Sequence, residues 1–382
     1  METVSLRELK HLVSSGEQSL GFLAQLERHQ QRTTKNGSPY YELTFADSEE
    51  SLVLRVWENT PMFASCGQLR ERHAYEIIGD FGMGNDGKSV DSRGWTIRAL
   101  HEDEAEALWA GSETLRVRQE LDYNFISESI AALADPRLHA LGTRFLEQFG
   151  ERLKRTGAAR DYHHARRGGL VEHVAQMMRS AIAICSAYPK LNRDLLVTGV
   201  LFHDVGKLWE NAYTEKGFTM PYTEISELLG HIPLGMEIVN RLWRDLTDDE
   251  ATAEAWRELD PSSDQVRLHL LHLIASHHGE LAFGSPVVPK TPEAQALHYI
   301  DNLDAKMEMF DRGYEVATEL AKHVYDRVRP LPGRLVARLP SFVAAVDQEN
   351  KTDQENQTDQ ENQTAQAAPP EPNDLADPTS PE

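Results

Sequence analysis

Leu195-Leu196-Val197-Thr198-Gly199-Val200-Leu201-Phe202-His203-Asp204-Val205-Gly206-Lys207 is the stretch on which the fold turns. Leu196, Val200 and His203 follow one another at spacings of four and three, and Val197, Leu201 and Asp204 repeat the pattern one step round. The spacing predicts a helix whose apolar stripes end on an imidazole and a carboxylate, both aimed at a core. Other segments carry such groups on their apolar faces. His173 shares a helical segment with Leu170, Val174, Met177 and Ala181. Val266, Leu270, Leu273 and His277 form an i, i+4, i+7, i+11 stripe with His278 beside it, and Ala294, Leu297, Asp301 and Asp304 fall on one line. A buried carboxylate without compensation costs several kcal/mol. Imidazoles and carboxylates that end the stripes of separate helices are reconciled most simply by a bound cation. Neutral imidazole nitrogen and carboxylate oxygen suit first-row transition metals, and a shared aspartate can bridge two ions.

The rest of the chain is organised around this helical half. At 382 residues it is long enough for two or three domains, and 40% hydrophobic with 26% charged residues is the balance of a globular protein. Residues 1–18 form an N-terminal segment. Residues 19–100 read as strands: Tyr40-Tyr41-Glu42-Leu43-Thr44-Phe45 and Leu52-Val53-Leu54-Arg55-Val56-Trp57 alternate, with a turn at Lys35-Asn36-Gly37-Ser38 before the first. Further strands are expected near Ala74–Ile78 and Trp95–Leu100. Four or five short strands in this length suit a small Greek-key barrel. Leu52, Leu54 and Val56 share one face, leaving Val53, Arg55 and Trp57 on the other. With Arg28, Arg32 and Lys35 near the first hairpin, that outer face offers cations and an aromatic platform suited to single-stranded nucleic acid.

From residue 101 the pattern is helical: a connector over 101–162 broken at Pro136, the chemistry-bearing domain over 163–325, and a helical extension over 326–346. From Asp347 the hexamer Asp-Gln-Glu-Asn-x-Thr runs three times, and 347–382 carries ten acidic residues against Lys351 alone. Without apolar residues in the repeats it cannot bury a core and is expected to be disordered. The tail supplies a large share of the net charge of −22, and the body stays acidic. An acidic body accommodates a polyanion where cations and a local basic strip face it.

Cys66 and Cys185 are the two cysteines, which excludes a disulfide framework or a cysteine-built zinc cluster. No run approaches the ~18 apolar residues of a membrane helix. Glu2, Arg7, Glu8 and Lys10 do not suit a secretory signal. The expectation is a soluble cytoplasmic protein with no membrane partner.

His173, the pair His203-Asp204 and Asp301 resemble the H…HD…D signature of the HD phosphohydrolase superfamily, and His203-Asp204-Val205-Gly206-Lys207 is its typical form. His231 in Gly230-His231-Ile232 and His277 in Ser276-His277-His278-Gly279 match the extra ligands of its dinuclear members. The resemblance narrows to YhaM-type 3′–5′ exoribonucleases, which join an N-terminal OB-fold to an HD domain. It rests on Tyr162-His163-His164-Ala165-Arg166-Arg167-Gly168-Gly169-Leu170, on Gly284-Ser285-Pro286, and on Ile300-Asp301-Asn302-Leu303-Asp304-Ala305. It covers roughly residues 19–325. The fold class it implies is multi-domain α and β: a small OB-fold-like barrel, an all-α HD domain and a disordered tail.

The resemblance implies roles as well. One metal is expected on His173, His203, Asp204 and Asp301, and a second on His231 and His277 with Asp204 bridging. His278 is either a further ligand or an outer hydrogen-bond donor. Lys207 is expected at a non-bridging phosphate oxygen, and His164 and Arg166 at the phosphate or terminal ribose. Mn²⁺ is the expected ion, with iron and Mg²⁺ compatible with the donors. The implied reaction is hydrolysis of single-stranded RNA or DNA from the 3′ end to 5′-mononucleotides, and homo-oligomeric assembly is implied too. Two other readings stand beside it: an HD hydrolase of a small nucleotide or cyclic dinucleotide, and a non-catalytic nucleic-acid-binding protein. His277-His278-Gly279 is followed by Glu280-Leu281-Ala282, without the Asp-Gly-x-Gly-Tyr-Pro of the cyclic-dinucleotide class.

Overall fold

In a computed structural model, residues 3–341 are described apart from 49, 85, 86, 88, 161–163 and 219. The repeat tail and the start of the Tyr162-His163 motif lie outside the described residues. The chain divides into two compact units, one of residues up to 316 with 329–331, the other of 317–328 and 332 onward.

The first unit begins with β1 (Thr3–Val4), α1 (Leu6–Ser14) and five longer strands: β2 (Gln18–Thr33), β3 (Pro39–Ala46), β4 (Ser51–Trp57), β5 (Ala74–Met83) and β6 (Val90–Ala99). A one-turn helix α2 (Phe63–Cys66) joins β4 to β5. The sheet order is β4-β3-β2-β5-β6, antiparallel throughout, with β1 added parallel to β2. The outer strands β4 and β6 approach each other without a hydrogen-bonded ladder. Alternation on β4 falls as read: Leu52, Leu54 and Val56 are buried, and Val53, Arg55 and Trp57 are exposed. The core of Phe22, Phe45, Phe81, Ile77 and Trp95 also takes in Leu6, Leu9 and Val13 of α1. The N-terminal segment therefore belongs to the sheet module, because its own apolar stripe would otherwise face water.

Among the described residues the α-helices that follow are α3 (Glu102–Ala110), α4 (Glu113–Ala131), α5 (Pro136–Leu153), α6 (Gly169–Ala187), α7 (Arg193–Phe202), α8 (Lys207–Glu210), α9 (Glu224–Leu229), α10 (His231–Thr247), α11 (Glu250–Arg257), α12 (Ser263–Ser276) and α13 (Pro292–Val316). The Pro136 break is the start of α5, where Asp135 caps the amides of Arg137 and Leu138 and proline costs no helix bond. Asn192 caps α7 through Leu195 N. One core holds Ile126 of α4, Phe145 of α5, Val174 and Met178 of α6, Phe202 of α7, Leu242 of α10, Leu270 of α12 and Leu297 of α13. Helices α4 and α5, expected as connectors, are thus part of the main helical core. The sheet module meets this body at Gln25, whose buried side chain accepts from Phe218 N (2.9 Å) and donates to Arg72 O (3.1 Å).

The second unit carries a short hairpin, β7 (Glu319–Ala321) and β8 (Val324–Tyr325), with Val324 bridged to Val336. The helical extension expected over 326–346 is not found: none of its described residues is helical. Pro330, Pro332, Gly333 and Pro340 explain this, since proline removes an amide donor and clashes with the preceding turn.

Candidate active site

Asp204 is the centre of the site. It lies two residues beyond α7 and is buried. Its Oδ2 faces His203 Nε2 at 3.2 Å and His173 Nε2 at 3.9 Å, and its Oδ1 faces His231 Nε2 at 3.5 Å and His277 Nε2 at 3.6 Å. The carboxylate therefore stands between two donor triads, His173–His203–Asp301 and His231–His277–His278, each compact enough for one ion. His173 Nε2 is 3.3 Å from both His203 Nε2 and Asp301 Oδ1, and His231 Nε2 is 3.3 Å from His278 Nε2.

The five rings share one orientation. Each turns Nε2 inward and anchors Nδ1 outside: His173 on Asp304, His203 on Val200 O, His231 on Glu210, His277 on Ile274 O and His278 on Phe283 O. These partners assign the proton to Nδ1 in the neutral rings and leave the inner lone pairs for a cation. Asp204 Oδ1 and His277 Nε2 are buried without a hydrogen-bond partner. Orphaned acceptors of this kind are rare in a folded interior, and a cation between the triads would satisfy them. The donor set and the orphaned atoms both fit a divalent metal.

The buried acids and imidazoles also shift one another's protonation in the cation-free site. Burial opposes the Asp204 charge, but Lys207 and His203 outweigh it and hold the carboxyl well below the usual range. Burial also pushes the His173 imidazolium down, yet its bonds to Asp301 and Asp304 prevail and raise it to about 9. For His277 and His278 burial is the largest influence and the pKa falls below the ordinary value. Lys207 sits one turn on, its Nζ 2.6 Å from Asp204 Oδ2. The start of α8 can approach α10 this closely because residue 206 is glycine. A Cβ there would lie inside the carbonyl group of His231.

Two residues expected at the substrate, Arg166 and His164, have partners within the protein. Arg166 forks onto Glu172 (Nε–Oε1 3.0 Å, Nη2–Oε2 2.6 Å) and sends Nη1 to Glu308 Oε1 at 2.7 Å. His164 is buried and gives Nε2 to Asp304 Oδ2 at 3.0 Å. With these partners both residues tie the chain just before α6 to α13. Removing one member of a buried, hydrogen-bonded ion pair strands the other, at a cost of about 3–5 kcal/mol. Arg166→Ala is therefore expected to lower the denaturation midpoint strongly while the KM for substrate changes little. A large KM increase in a protein of normal stability would restore the substrate contact.

On the sheet module, hydrogen-bonded register lines up the outer face in rows. Arg28–Thr44–Val53, Gln30–Glu42–Arg55 and Arg32–Tyr40–Trp57 cross β2, β3 and β4. Tyr40 and Trp57 pack at 4.9 Å, while Glu42 pairs with Arg32 (3.0 Å) and Arg55 (3.6 Å). Lys35 is exposed in the β2–β3 turn. Sequence reading missed Tyr40 and Glu42, although cross-strand alternation carried the signal. It also missed Asp304, Glu172 and Glu210 as anchors. Asp304 was within reach, since it stands three residues after Asp301 on the same helical line.

The helical body with a buried His/Asp centre defines an HD-type protein, and the HD domain family profile matches residues 170–306. The chain is 32% identical over 280 residues to the 3′-5′ exoribonuclease YhaM of Geobacillus sp. (strain WCH70), covering 73% of this chain and 80% of that one. YhaM of Bacillus velezensis (31% over 280 residues) and of Bacillus pumilus (30% over 286) each cover 73% of this chain, with 82% of the relative aligned. This chain belongs to the YhaM family of HD-domain proteins. A likeness to a chain of a replication protein A heterotrimer bound to ssDNA (TM-score 0.21, 13% identity, 27% of this chain and 84% of that one) is too slight to support an argument. Among the described residues no helix is long and apolar enough to cross a membrane.

Proposed function

We propose that this chain is a metal-dependent 3′–5′ exoribonuclease that shortens single-stranded RNA to 5′-mononucleotides. The observation that carries the reading is Asp204, one buried carboxylate between two imidazole-rich triads with an oxygen left unpartnered. The activity named for the curated relatives supports it. In this reading His173, His203 and Asp301 would hold one cation and His231, His277 and His278 a second, with Asp204 facing both groups. A divalent cation there supplies Lewis acidity and a nucleophile usable at neutral pH. Mn²⁺ suits the mixed nitrogen and oxygen donors.

Lys207 contributes a positive charge for the phosphate, supported by its ammonium beside Asp204. Strand affinity comes from the outer face of the sheet module, with Trp57 and Tyr40 stacking on bases and Arg28, Arg32, Lys35 and Arg55 pairing with phosphates. Glu42 already engages two of those arginines, so the strand is held with modest charge and chiefly by stacking.

Purified protein with Mn²⁺ is expected to convert a 5′-labelled single strand into a ladder that shortens from its 3′ end. A 3′-labelled strand is expected to yield labelled mononucleotide from the first turnover. Intact strands beside turnover of a dNTP or cyclic dinucleotide would falsify the exonuclease reading.

A further inference from the structure

We infer that Asp304 is a positioning residue of the cation centre, setting the face that His173 turns to it through a carboxylate shared with His164. A single oxygen, Oδ2, accepts from His173 Nδ1 at 2.6 Å and from His164 Nε2 at 3.0 Å. All three residues are buried. The inference rests on the cation reading above and adds a residue outside the two triads that face Asp204.

Helix α13 explains the arrangement. Asp301, Asp304 and Glu308 follow at i, i+3 and i+7 and so share one face. Asp301 reaches the first triad, Asp304 takes the outer nitrogen of His173, and Glu308 clamps Arg166. Arg166 is fixed in turn by Glu172, which also pairs with Arg118 (3.0 Å) and Gln119 (2.9 Å). His164 and Arg166 stand two residues apart before α6, so that stretch is tied to α13 at two points. Asp304 is thereby held from one side by His164 and by the helix from the other.

His173 differs from the other rings of the centre. His203, His277 and His278 anchor Nδ1 on backbone carbonyls, which local helix or turn geometry supplies. His231 uses Glu210, which is partly exposed. His173 alone among these five uses a buried carboxylate, brought from 131 residues away. A charged acceptor on Nδ1 both selects the tautomer and makes the inner nitrogen a stronger donor to a metal. Asp304 acts through His173 and is not aimed at substrate.

The test is Mn²⁺ titration of wild type, Asp304→Asn and Asp304→Ala, with free Mn²⁺ read by electron paramagnetic resonance. Melting of each cation-free protein is followed in parallel. Loss of an outer partner of a ligating histidine costs about 10–100-fold in metal affinity. Asp304→Ala is expected in that range, and Asp304→Asn, which keeps shape and one acceptor but loses charge, toward its lower end. RNA hydrolysis should return at saturating Mn²⁺ with the KM for RNA unchanged, a rescue that general loosening of α13 does not give. Glu308→Gln, which weakens one of the two clamps on Arg166 without touching His173, should lower the melting temperature and leave Mn²⁺ affinity within about twofold. If Asp304→Ala does not fold, the asparagine variant decides alone. Wild-type protein that takes up no Mn²⁺ refutes the cation reading itself. Wild-type binding matched by the Asp304 variants overturns only the positioning role.

Discussion

Asp204→Asn is expected to reduce RNA hydrolysis by about 10³-fold or more, several kcal/mol of transition-state stabilisation. The substitution keeps volume and one carbonyl oxygen but removes the charge that faces both triads. Asp204 Oδ1 and Oδ2 each look toward different rings, so one change weakens both cation positions at once. Cation-free protein should stay folded but melt at a lower temperature, because losing the Asp204 charge strands the nearly buried Lys207 ammonium that sits 2.6 Å away. Single-turnover assays with Mn²⁺, alongside circular dichroism, check both halves. Wild-type rates in the variant would remove the basis for the metal reading.

Gly206→Ala is expected to be the most damaging single methyl group near the site. Residue 206 has ordinary helical dihedrals, φ −64° and ψ −22°, so conformational freedom is not the reason for glycine. The reason is space. The added Cβ would overlap the backbone carbonyl of His231, and backbone cannot rotate away as a side chain can. Relief requires α8 and the start of α10 to separate, which carries His231 away from Asp204. Overpacking of this kind costs about 3 kcal/mol or somewhat more. A lowered melting temperature together with weaker Mn²⁺ uptake is expected. Gly94→Ala in β6, where nothing lies within 4 Å of the new methyl, should stay within about 0.5 kcal/mol of wild type. Equal behaviour of the two variants would contradict the contact.

Much of the candidate site was legible because its signal is local. His203, Asp204, His277 and Asp301 extend apolar stripes and His173 lies within one, and a stripe is a property of one helix that periodicity reveals. The alternation of β4 likewise placed Arg55 and Trp57 outside before any pairing was known. Pro136 was readable as a helix boundary for a similarly local reason.

Partners distant in sequence were not legible. His164 and Arg166 stand in a motif beside the first histidine helix, which invited a substrate role. Their partners Asp304 and Glu308 lie 140 and 142 residues further on. The same holds for α4 and α5, whose membership of the helical core depends on packing that no spacing rule encodes. Over 326–346 the expectation of helix extended a pattern past Pro330, Pro332 and Gly333, where local chemistry already opposed it.

By itself, then, the sequence determined which side chains each element turns inward, the strand-then-helix order, and the residue types available for a cation. Tertiary structure decided which inward-facing groups meet. It set Asp204 between two triads, tied His173 to Asp304, and paired Arg166 with Glu172 and Glu308. The physical reason is range: backbone periodicity fixes direction over a few residues, whereas a charge finds its counterion only when the chain closes long loops around a common core.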